Sequence, residues 1–374
     1  MKKRSFVNIF VTILFAITFS TFFSVVVQAD ESLFKPNTDR VGVWWWDTSN
    51  LSLAHSESYL DYAKNNGITE IYLNQTRLSE VNPSNTFGPS GTLNVVIPTQ
   101  NFIQAASDRG IKVYLLLSNH GTWLDNPNRF HQLMKGYLAY QNVAKDAQFA
   151  GVHLNVEPNQ LRDGAGDRYW DKGYDVQARM MQQLIDFAVD ATDAYGDYTT
   201  FDWSTGMWWD RERYPVTYRG KETLLYRAMI EEANTTVVMS FRTTANAIAE
   251  ASKKHLAYAR NVGKPIILSG TVFLSGEEPD RAANAQFIGF GRDYMHAELA
   301  KVPEYALKWA DEANGGASEK QLDVHVAFHE MMTWRHWARR EKLFIEMESS
   351  TLIPINYLIG YEKNIQHVFL LRII

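Results

Sequence analysis

The stretch Gly151-Val-His-Leu-Asn-Val-Glu-Pro-Asn-Gln160 decides the fold prediction. Its side chains alternate, so that Gly151, His153, Asn155 and Glu157 fall on one side and three aliphatic residues fall on the other. This pattern predicts a short buried strand that ends in a carboxylate. Because the neighbouring segments predict a closed, helix-covered sheet, we expect the polar side of this strand to face an enclosed interior.

Strand-like apolar runs alternate with amphipathic helical stretches along the chain. Eight strands are predicted, at residues 41–47, 68–74, 111–118, 151–156, 198–204, 235–242, 265–271 and 323–329. Eight such alternations without an internal repeat predict an α/β fold, a (β/α)8 TIM barrel. A doubly wound sheet is less favoured, because no glycine-rich phosphate-binding sequence follows the first strand.

Long loops are predicted at the carboxyl ends of four of these strands. They comprise residues 75–98, 158–172, 206–221 and 272–285. In barrels of this kind the carboxyl ends of the strands carry the functional site. Long loops at that end are what a cleft for an extended substrate requires.

Residues 1–29 predict a secretory signal peptide. Lys2, Lys3 and Arg4 precede an apolar run at 6–27, and small residues around Ala29 suit cleavage. A membrane anchor is the alternative, since the run is near the length of a membrane span. The polar residues after Ala29 favour cleavage. We therefore expect a secreted protein with no stable membrane insertion, a barrel domain at 30–345 and a tail of unassigned structure at 346–374.

The composition indicates the compartment of the protein and the classes of partner that it favours. The net charge is −5, and removal of the three basic residues of the leader would lower it by three, to −8. An acidic surface argues against nucleic acid as a partner. The chain has no cysteine, which fits a bacterial exporter better than an animal secretory pathway. The 11 Trp and 18 Tyr offer flat faces for sugar rings, although core packing uses most of them.

The last inward or rim-facing polar residues of the strands predict a site at one end of the barrel. Nearly every strand contributes to this set: Asp47, Asn74 or Gln75, Asn119 or His120, Asn155 and Glu157, Asp202 and Asp210, Arg242, and His329 and Glu330. Polar groups buried without partners cost free energy. The ring is therefore either an internal hydrogen-bond network or a substrate pocket, and the long loops favour the pocket.

Glu157 is the predicted proton donor. Burial among Trp and Asn neighbours would favour its acid form, so that it could protonate a leaving oxygen near neutral pH. The alternative is a structural ion pair with Arg242 or Arg162. Asn155 would donate its amide to a sugar hydroxyl or to Glu157, or else be a satisfied core amide.

Hydrolysis of a glycoside ordinarily needs a second carboxylate. It acts as a nucleophile about 5 Å from the first or as a base roughly 6.5 to 9.5 Å away. The sequence offers five candidates: Asp202, Asp210, Glu277, Glu278 and Glu330. Asp202 ranks first, because it alternates inward on the strand predicted next to that of Glu157. Glu277 and Glu278 fall in a loop, where we expect them to be solvated.

Metal and cofactor chemistry is not expected. His325 and His329 share a strand face but lie about 13 Å apart by strand rise, too far to bind one ion together. The sequence has no zinc-binding histidine pattern and no G-x-S-x-G serine nucleophile. A metal-dependent hydrolase is therefore the weakest hypothesis.

Trp123, Trp208 and Trp209 fall in predicted loops and are the expected stacking platforms for sugar.

These motifs resemble those of the (β/α)8 glycoside hydrolases. Asn155-Val-Glu157-Pro158 is similar to the Asn-Glu-Pro of the large retaining clan, in which this glutamate is the acid/base. The strand Gly151-Val-His-Leu-Asn-Val-Glu157 also resembles the Gly-Ile-Asp-Ile-Asp-Trp-Glu type of chitinase strand, and Val238-Met-Ser-Phe241 resembles the chitinase Met-x-Tyr strand. The resemblance spans most of residues 40–335 by order of elements. It implies glycosidase chemistry with Glu157 as proton donor.

The chain departs from both patterns. Asn155 stands where chitinases have Asp, and Phe241 stands where they have Tyr; both family residues support the acetamido group of the substrate. Gly270 stands where the retaining clan has its nucleophile. Two hypotheses remain. One is a secreted glycoside hydrolase acting on a polysaccharide or cell-envelope glycan with Asp202 as helper, and the other is a catalytically inactive glycan-binding barrel protein.

Overall fold

Eight parallel strands close into a barrel in the computed structural model, which describes residues 38–48, 51–81, 91–272 and 285–335. The barrel strands are β1 (Val41–Trp45), β2 (Glu70–Leu73), β3 (Lys112–Asn119), β4 (Gly151–Val156), β5 (Phe201–Gly206), β8 (Thr235–Met239), β9 (Ile266–Thr271) and β10 (Val324–His329); β6 (Pro215–Tyr218) and β7 (Lys221–Leu224) form a separate hairpin. The barrel strands follow one another in this order, and β10 pairs back with β1. The predicted (β/α)8 TIM barrel is confirmed.

Helices follow the strands and cover the barrel from outside. They are α1 (Leu53–Asn65), α2 (Gly91–Ser107), α3 (Thr122–Asp125), α4 (Asn128–Val143), α5 (Tyr174–Tyr195), α6 (Leu225–Glu232), α7 (Ala245–Ala251), α8 (Lys253–Val262) and α9 (Arg292–Ala313). In the described part of the chain, no helix combines the length and the apolar character needed to cross a membrane.

Alternation along the strands separates two packed layers. Outward residues such as Val152 and Leu154 join the large core between barrel and helices. Inward residues fill the barrel with a second, smaller cluster that comprises Trp44, Tyr72, Tyr114, Leu116, Val237, Ile267 and Ala327. The interior is therefore packed rather than hollow, as in other barrels of eight strands.

The boundaries of β5 differ from the prediction. Helix α5 continues to Tyr195, and residues 196–200 form the turn, so β5 begins at Phe201 and ends at Gly206. Asp202 is consequently the second residue of its strand rather than a residue near the end. The predicted loop at 206–221 also contains structure, a hairpin of β6 (Pro215–Tyr218) and β7 (Lys221–Leu224).

Two groups of inward polar residues lie at opposite ends of the barrel. The first occupies the amino ends of the strands, where Glu70 begins β2 and Asp202 pairs with His153 of β4 and Thr235 of β8. The second occupies the carboxyl ends, where Glu157 follows β4 and His329 ends β10. The signal peptide predicted at 1–29 and the tail at 346–374 lie outside the described residues.

Candidate active site

Glu157 is fixed at the carboxyl end of β4. Its N–H donates to the carbonyl of Asn119 at 2.8 Å, which extends the parallel ladder of β3 and β4 by one residue. The inward residues before it are buried, and the carboxyl group itself is half-buried. The backbone therefore holds this acid at the end of the barrel where such folds place their sites.

The environment of Glu157 favours its protonated form. Burial raises the pKa of the carboxyl, and the amide of Asn155, the charge of His120 and a hydrogen bond from Gln160 oppose the rise in part. Asn155 Nδ2 donates to Glu157 Oε1 at 3.0 Å. Among the described residues, Glu157 forms no ion pair. An acid of raised pKa with a fixed hydrogen bond is suited to proton donation.

Two buried amide oxygens lie at the same end of the barrel without partners. Asn155 Oδ1 and Asn74 Oδ1 accept no hydrogen bond from the described residues. Asn74 Nδ2 donates to the carbonyl of Trp46 at 3.4 Å, which orients the amide. Buried acceptors without donors cost free energy. They are therefore suited to accept hydrogen bonds from the hydroxyls of a ligand or from water.

His329 lies among aromatic rings on the opposite side of this end. Trp46 Nε1 donates to His329 Nε2 at 2.7 Å, and because an indole N–H can only donate, Nε2 carries no proton. The hydroxyl of Thr271 is 3.4 Å from Nδ1. The rings of Trp44 and Phe241 lie 6.2 and 6.3 Å from the imidazole, centroid to centroid. These contacts form an aromatic wall beside the polar group.

The remaining predicted binding residues reach the rim. Asp47 and His120 are exposed, and Arg242 is half-buried with its Nη1 donating to the carbonyl of Phe241 at 2.7 Å. In the described ranges Arg242 makes no ion pair, so its charge is available to a ligand.

Of the three predicted stacking platforms, Trp208 alone is partly exposed. Its ring lies 5.1 Å from Trp170 and 5.9 Å from Tyr214, in an aromatic cluster between the loops after β4 and β5. Trp123 and Trp209 are buried in the core, so the prediction of a stacking role for them was wrong. Loop position indicated exposure, but the ring of Trp123 packs against Phe130 and Phe187 of the neighbouring helices, and Trp209 packs against Trp208.

Glu330 does not present a free carboxylate to the site. Its oxygens accept from the N–H of Met332 at 2.9 Å, from the N–H of Thr333 at 2.8 Å and from the Thr333 hydroxyl. The helix that begins at Met331 is thus capped by this side chain. The structure therefore gives Glu330 a capping role, and its contact with a substrate stays a prediction.

Asp202 is not brought near Glu157. It lies opposite His153, and Glu157 follows His153 by four residues, or about 13 Å at the rise of a parallel strand. At the amino end of the barrel Arg40 Nη2 contacts Asp202 at 3.3 Å and binds Glu70 at 2.6 Å through Nε and 3.1 Å through Nη2. Asp202 belongs to this buried charge cluster, which the sequence did not indicate.

Asp210 is the candidate helper that the structure places at the correct end. It closes the turn Met207–Asp210 directly after β5 and is half-buried. Burial raises the pKa of its carboxyl, while Lys254 and Arg211 oppose the rise. Glu277 and Glu278 lie outside the described residues.

Gly270 faces away from the site. A Cβ at this position would meet Phe287 at 2.8 Å in the helix layer. The inward residue of β9 at this level is Thr271, which is buried and bonds His329. A side chain at position 270 would therefore point into the helix layer rather than toward Glu157.

His153 and His325 act as hydrogen-bonding groups. His153 is stacked on Tyr72 with ring centroids 4.1 Å apart, and its Nε2 bonds Ser204 at 2.8 Å. Burial, with Arg40 nearby, lowers the pKa of His153 to about 3. His325 lies at the amino end, where Thr38 contacts its Nδ1 at 2.6 Å. Within the described residues, no three His, Cys, Asp or Glu side chains are grouped as metal ligands.

Comparison with known proteins assigns no family to the chain. No family model matches the chain. No curated protein matches it significantly.

Solved structures with similar architecture include three glycosidases. A chitinase from Pseudoalteromonas aurantia is 10% identical over 80% of this chain and 99% of its own, with a TM-score of 0.37. The β-amylase catalytic domain from Paenibacillus polymyxa is 9% identical over 79% and 94%, with a TM-score of 0.44. The β-glycosidase from Pyrococcus horikoshii is 11% identical over 78% and 84%, with a TM-score of 0.43. Identities and TM-scores this low do not assign a reaction to this chain.

Proposed function

We propose that this protein is an exported glycoside hydrolase that acts on a polysaccharide or cell-envelope glycan, with Glu157 as the proton donor. The observation that carries the proposal is the half-buried Glu157, held at the carboxyl end of β4 with a raised pKa and an oriented amide beside it. The apolar leader at 1–29 supports export, and the acidic net charge of −5 favours a glycan over nucleic acid.

The proposed reaction breaks the bond between the anomeric carbon and the glycosidic oxygen. Glu157 gives its proton to that oxygen as the bond breaks, and water supplies the hydroxyl that the anomeric carbon gains. A second carboxylate either takes the proton of the attacking water or first attacks the carbon itself. Asn155 Oδ1 and Asn74 Oδ1 accept hydrogen bonds from sugar hydroxyls, which satisfies the two buried oxygens.

Asp210 replaces Asp202 as the proposed second carboxylate. We expect Asp210→Asn to lower kcat/KM by about 10²-fold or more, within the range for loss of an acid or base. Asp202→Asn is the matched control and should stay within about threefold, because its side chain lies at the other end of the barrel. Steady-state kinetics on the same glycan distinguish them. A large loss of kcat/KM in Asp202→Asn with none in Asp210→Asn would show that Asp202, and not Asp210, takes part in the reaction.

The hydrogen bond from Asn155 should set the alkaline limit of activity. Glu157 must be protonated to act, so activity falls as the pH rises through its pKa. The amide of Asn155 lowers that pKa, and its removal should raise it. We therefore expect Asn155→Ala to move the alkaline limb of the kcat/KM profile to higher pH. An alkaline limb that stays in place or moves to lower pH would show that Glu157 is not the titrating acid.

A glycan-binding barrel without activity is the second candidate. It is favoured by the departures from the chitinase pattern, in which Asn155 stands where those enzymes have Asp and Phe241 stands where they have Tyr. Incubation of the purified protein with glycosides and bacterial cell walls, followed by product analysis and a binding assay, separates the two. Binding without product over a long incubation supports the second candidate.

A further inference from the structure

A polar cleft beside the candidate active site has no role in the proposed reaction. Its volume is about 350 Å³, which lies in the range of small-ligand sites. Helix α5 forms one wall, and helix α3 and the loop after β4 form the other. The polar side chains that line it are Thr122, Asp125, Arg162, Tyr169, Arg179 and Gln183.

The cleft carries excess positive charge. In the described part of the chain, neither Arg162 nor Arg179 forms an ion pair with a carboxylate. Asp125 is the one acid of the lining, and it accepts a hydrogen bond from Gln183 at 3.0 Å. Two exposed guanidinium groups therefore meet one carboxylate, in a chain whose net charge is −5. Guanidinium groups bind oxyanions through paired hydrogen bonds.

The loop that carries Arg162 and Tyr169 is tied down. Asp163 Oδ1 accepts from the N–H of Ala165 and of Asp167, each at 3.0 Å, and its Oδ2 pairs with Lys172 at 2.6 Å. The N–H of Tyr169 donates to the carbonyl of Leu161 at 3.0 Å. Asp163 is thus used within the loop. Arg162 Nη1 donates to the carbonyl of Gly166 at 2.7 Å, and the side chain of Arg162 is exposed at the cleft.

The cleft adjoins the turn of Glu157. Asn119 Oδ1 accepts from the N–H of Gly121, a cleft residue, at 2.8 Å, and the carbonyl of Asn119 accepts from the N–H of Glu157 at 2.8 Å. A Cβ on Gly121 would lie 3.1 Å from the Cα of Pro158. The lining of the cleft is therefore packed directly against the turn that carries Glu157.

We propose that this cleft binds the acidic group of an anionic glycan, a carboxylate or sulfate on a sugar unit beyond the one at Glu157. Arg162 and Arg179 hold the oxyanion, Gln183 and Thr122 contact sugar hydroxyls, and Tyr169 lies against the ring. The position of this unit relative to the cleaved bond rests on the proposed function, whereas the binding of the acidic group does not.

Calorimetric titration of the purified protein tests the inference. The probes are tetragalacturonate, a sulfated carrageenan tetrasaccharide, the fully methyl-esterified tetragalacturonate and sodium acetate. We expect at least one acidic tetrasaccharide to bind about tenfold or more tightly than the neutral ester and than acetate. The double variant Arg162→Gln/Arg179→Gln should lose that advantage, because charge-assisted hydrogen bonds are the strong ones. Arg129→Gln removes an exposed arginine of α4 outside the cleft lining and should change the affinity less than about twofold.

Three results would overturn the inference: equal affinity for the acidic probes and the ester, unchanged affinity in the double variant, or acetate binding as tightly as the oligosaccharides. The titration needs no turnover, so its result does not depend on whether Glu157 is catalytic. If the protein hydrolyses no glycan, this readout is unaffected. If the cleft proposal fails, the kinetic tests of Glu157 and Asp210 keep their meaning.

Discussion

Glu157→Gln is expected to lower kcat/KM on the glycan by about 10² to 10⁴-fold, the usual contribution of a positioned acid. The amide keeps the shape of the side chain and can still accept the hydrogen bond of Asn155, but it has no proton to give. The free energy of unfolding should stay the same or rise slightly, because the folded protein no longer has to accommodate a buried carboxyl. Kinetics and urea unfolding on the same preparation measure both quantities.

Two controls make this result specific. Glu250→Gln changes an exposed glutamate of α7 in the same way and should leave kcat/KM unchanged. A glycoside with a highly acidic leaving group needs little protonation, so its hydrolysis by Glu157→Gln should fall much less than that of the natural linkage. Unchanged hydrolysis of the natural linkage would remove Glu157 from the mechanism. An equal loss on both substrates would point to a nucleophile instead of a proton donor.

The barrel could be predicted from the sequence because its signal is local and repeated. Each strand is a short apolar run, and the alternation of Val152 and Leu154 with His153 and Asn155 already identifies the inward face. The structure places those two faces as expected, with the aliphatic side chains against the helices. The inward direction of Asp202 was also predicted correctly.

The end of the barrel at which a residue lies was harder to predict. Alternation gives the face of a strand but not the point at which the strand begins, and an error of a few residues at Tyr198 moved Asp202 from one end of the barrel to the other. Arg40 precedes the first predicted strand, and its contacts with Glu70 and Asp202 join residues far apart in the chain. Such a pairing appears only when the barrel closes.

Local bonding explains the other differences at the site. Glu330 stands where a helix begins, but the usual signals for a cap are Ser, Thr, Asp and Asn, so the sequence did not indicate its role. Trp123 and Trp209 follow strand ends, and only the packing of the helices shows that they are buried. The local signal for Glu157 is a carboxylate that follows a buried strand. This signal was sufficient to predict its position at the carboxyl end of β4, because the backbone pairing of β3 and β4 determines that position.

The charge cluster at the amino end predicts a strong effect of pH on stability. Arg40 binds Glu70 with two contacts and reaches Asp202 with one longer contact, so one half-buried cation faces two buried carboxylates. Burial, together with the charge of Glu70, raises the pKa of Asp202 to about 7, against the opposing effect of Arg40. Between the ordinary aspartate pKa and this value, the folded protein holds a proton that the unfolded chain releases.

Asp202→Asn should therefore flatten the pH dependence of stability. The contribution of protonated Asp202 to the free energy of unfolding is fully present below about pH 4, falls as the pH rises and is lost above about pH 7. Its size is roughly 1.4 kcal/mol for each unit by which the pKa differs between the folded and unfolded states. Between pH 4.5 and 8.5 the free energy of unfolding of the unmodified protein should fall by at most about 4 kcal/mol because of this group. The variant Asp202→Asn should not show this fall. Urea unfolding followed by tryptophan fluorescence at both pH values measures the difference, with the exposed Asp197→Asn as control. Equal slopes in all three proteins would mean that Asp202 is ionised throughout and that Arg40 neutralises both carboxylates.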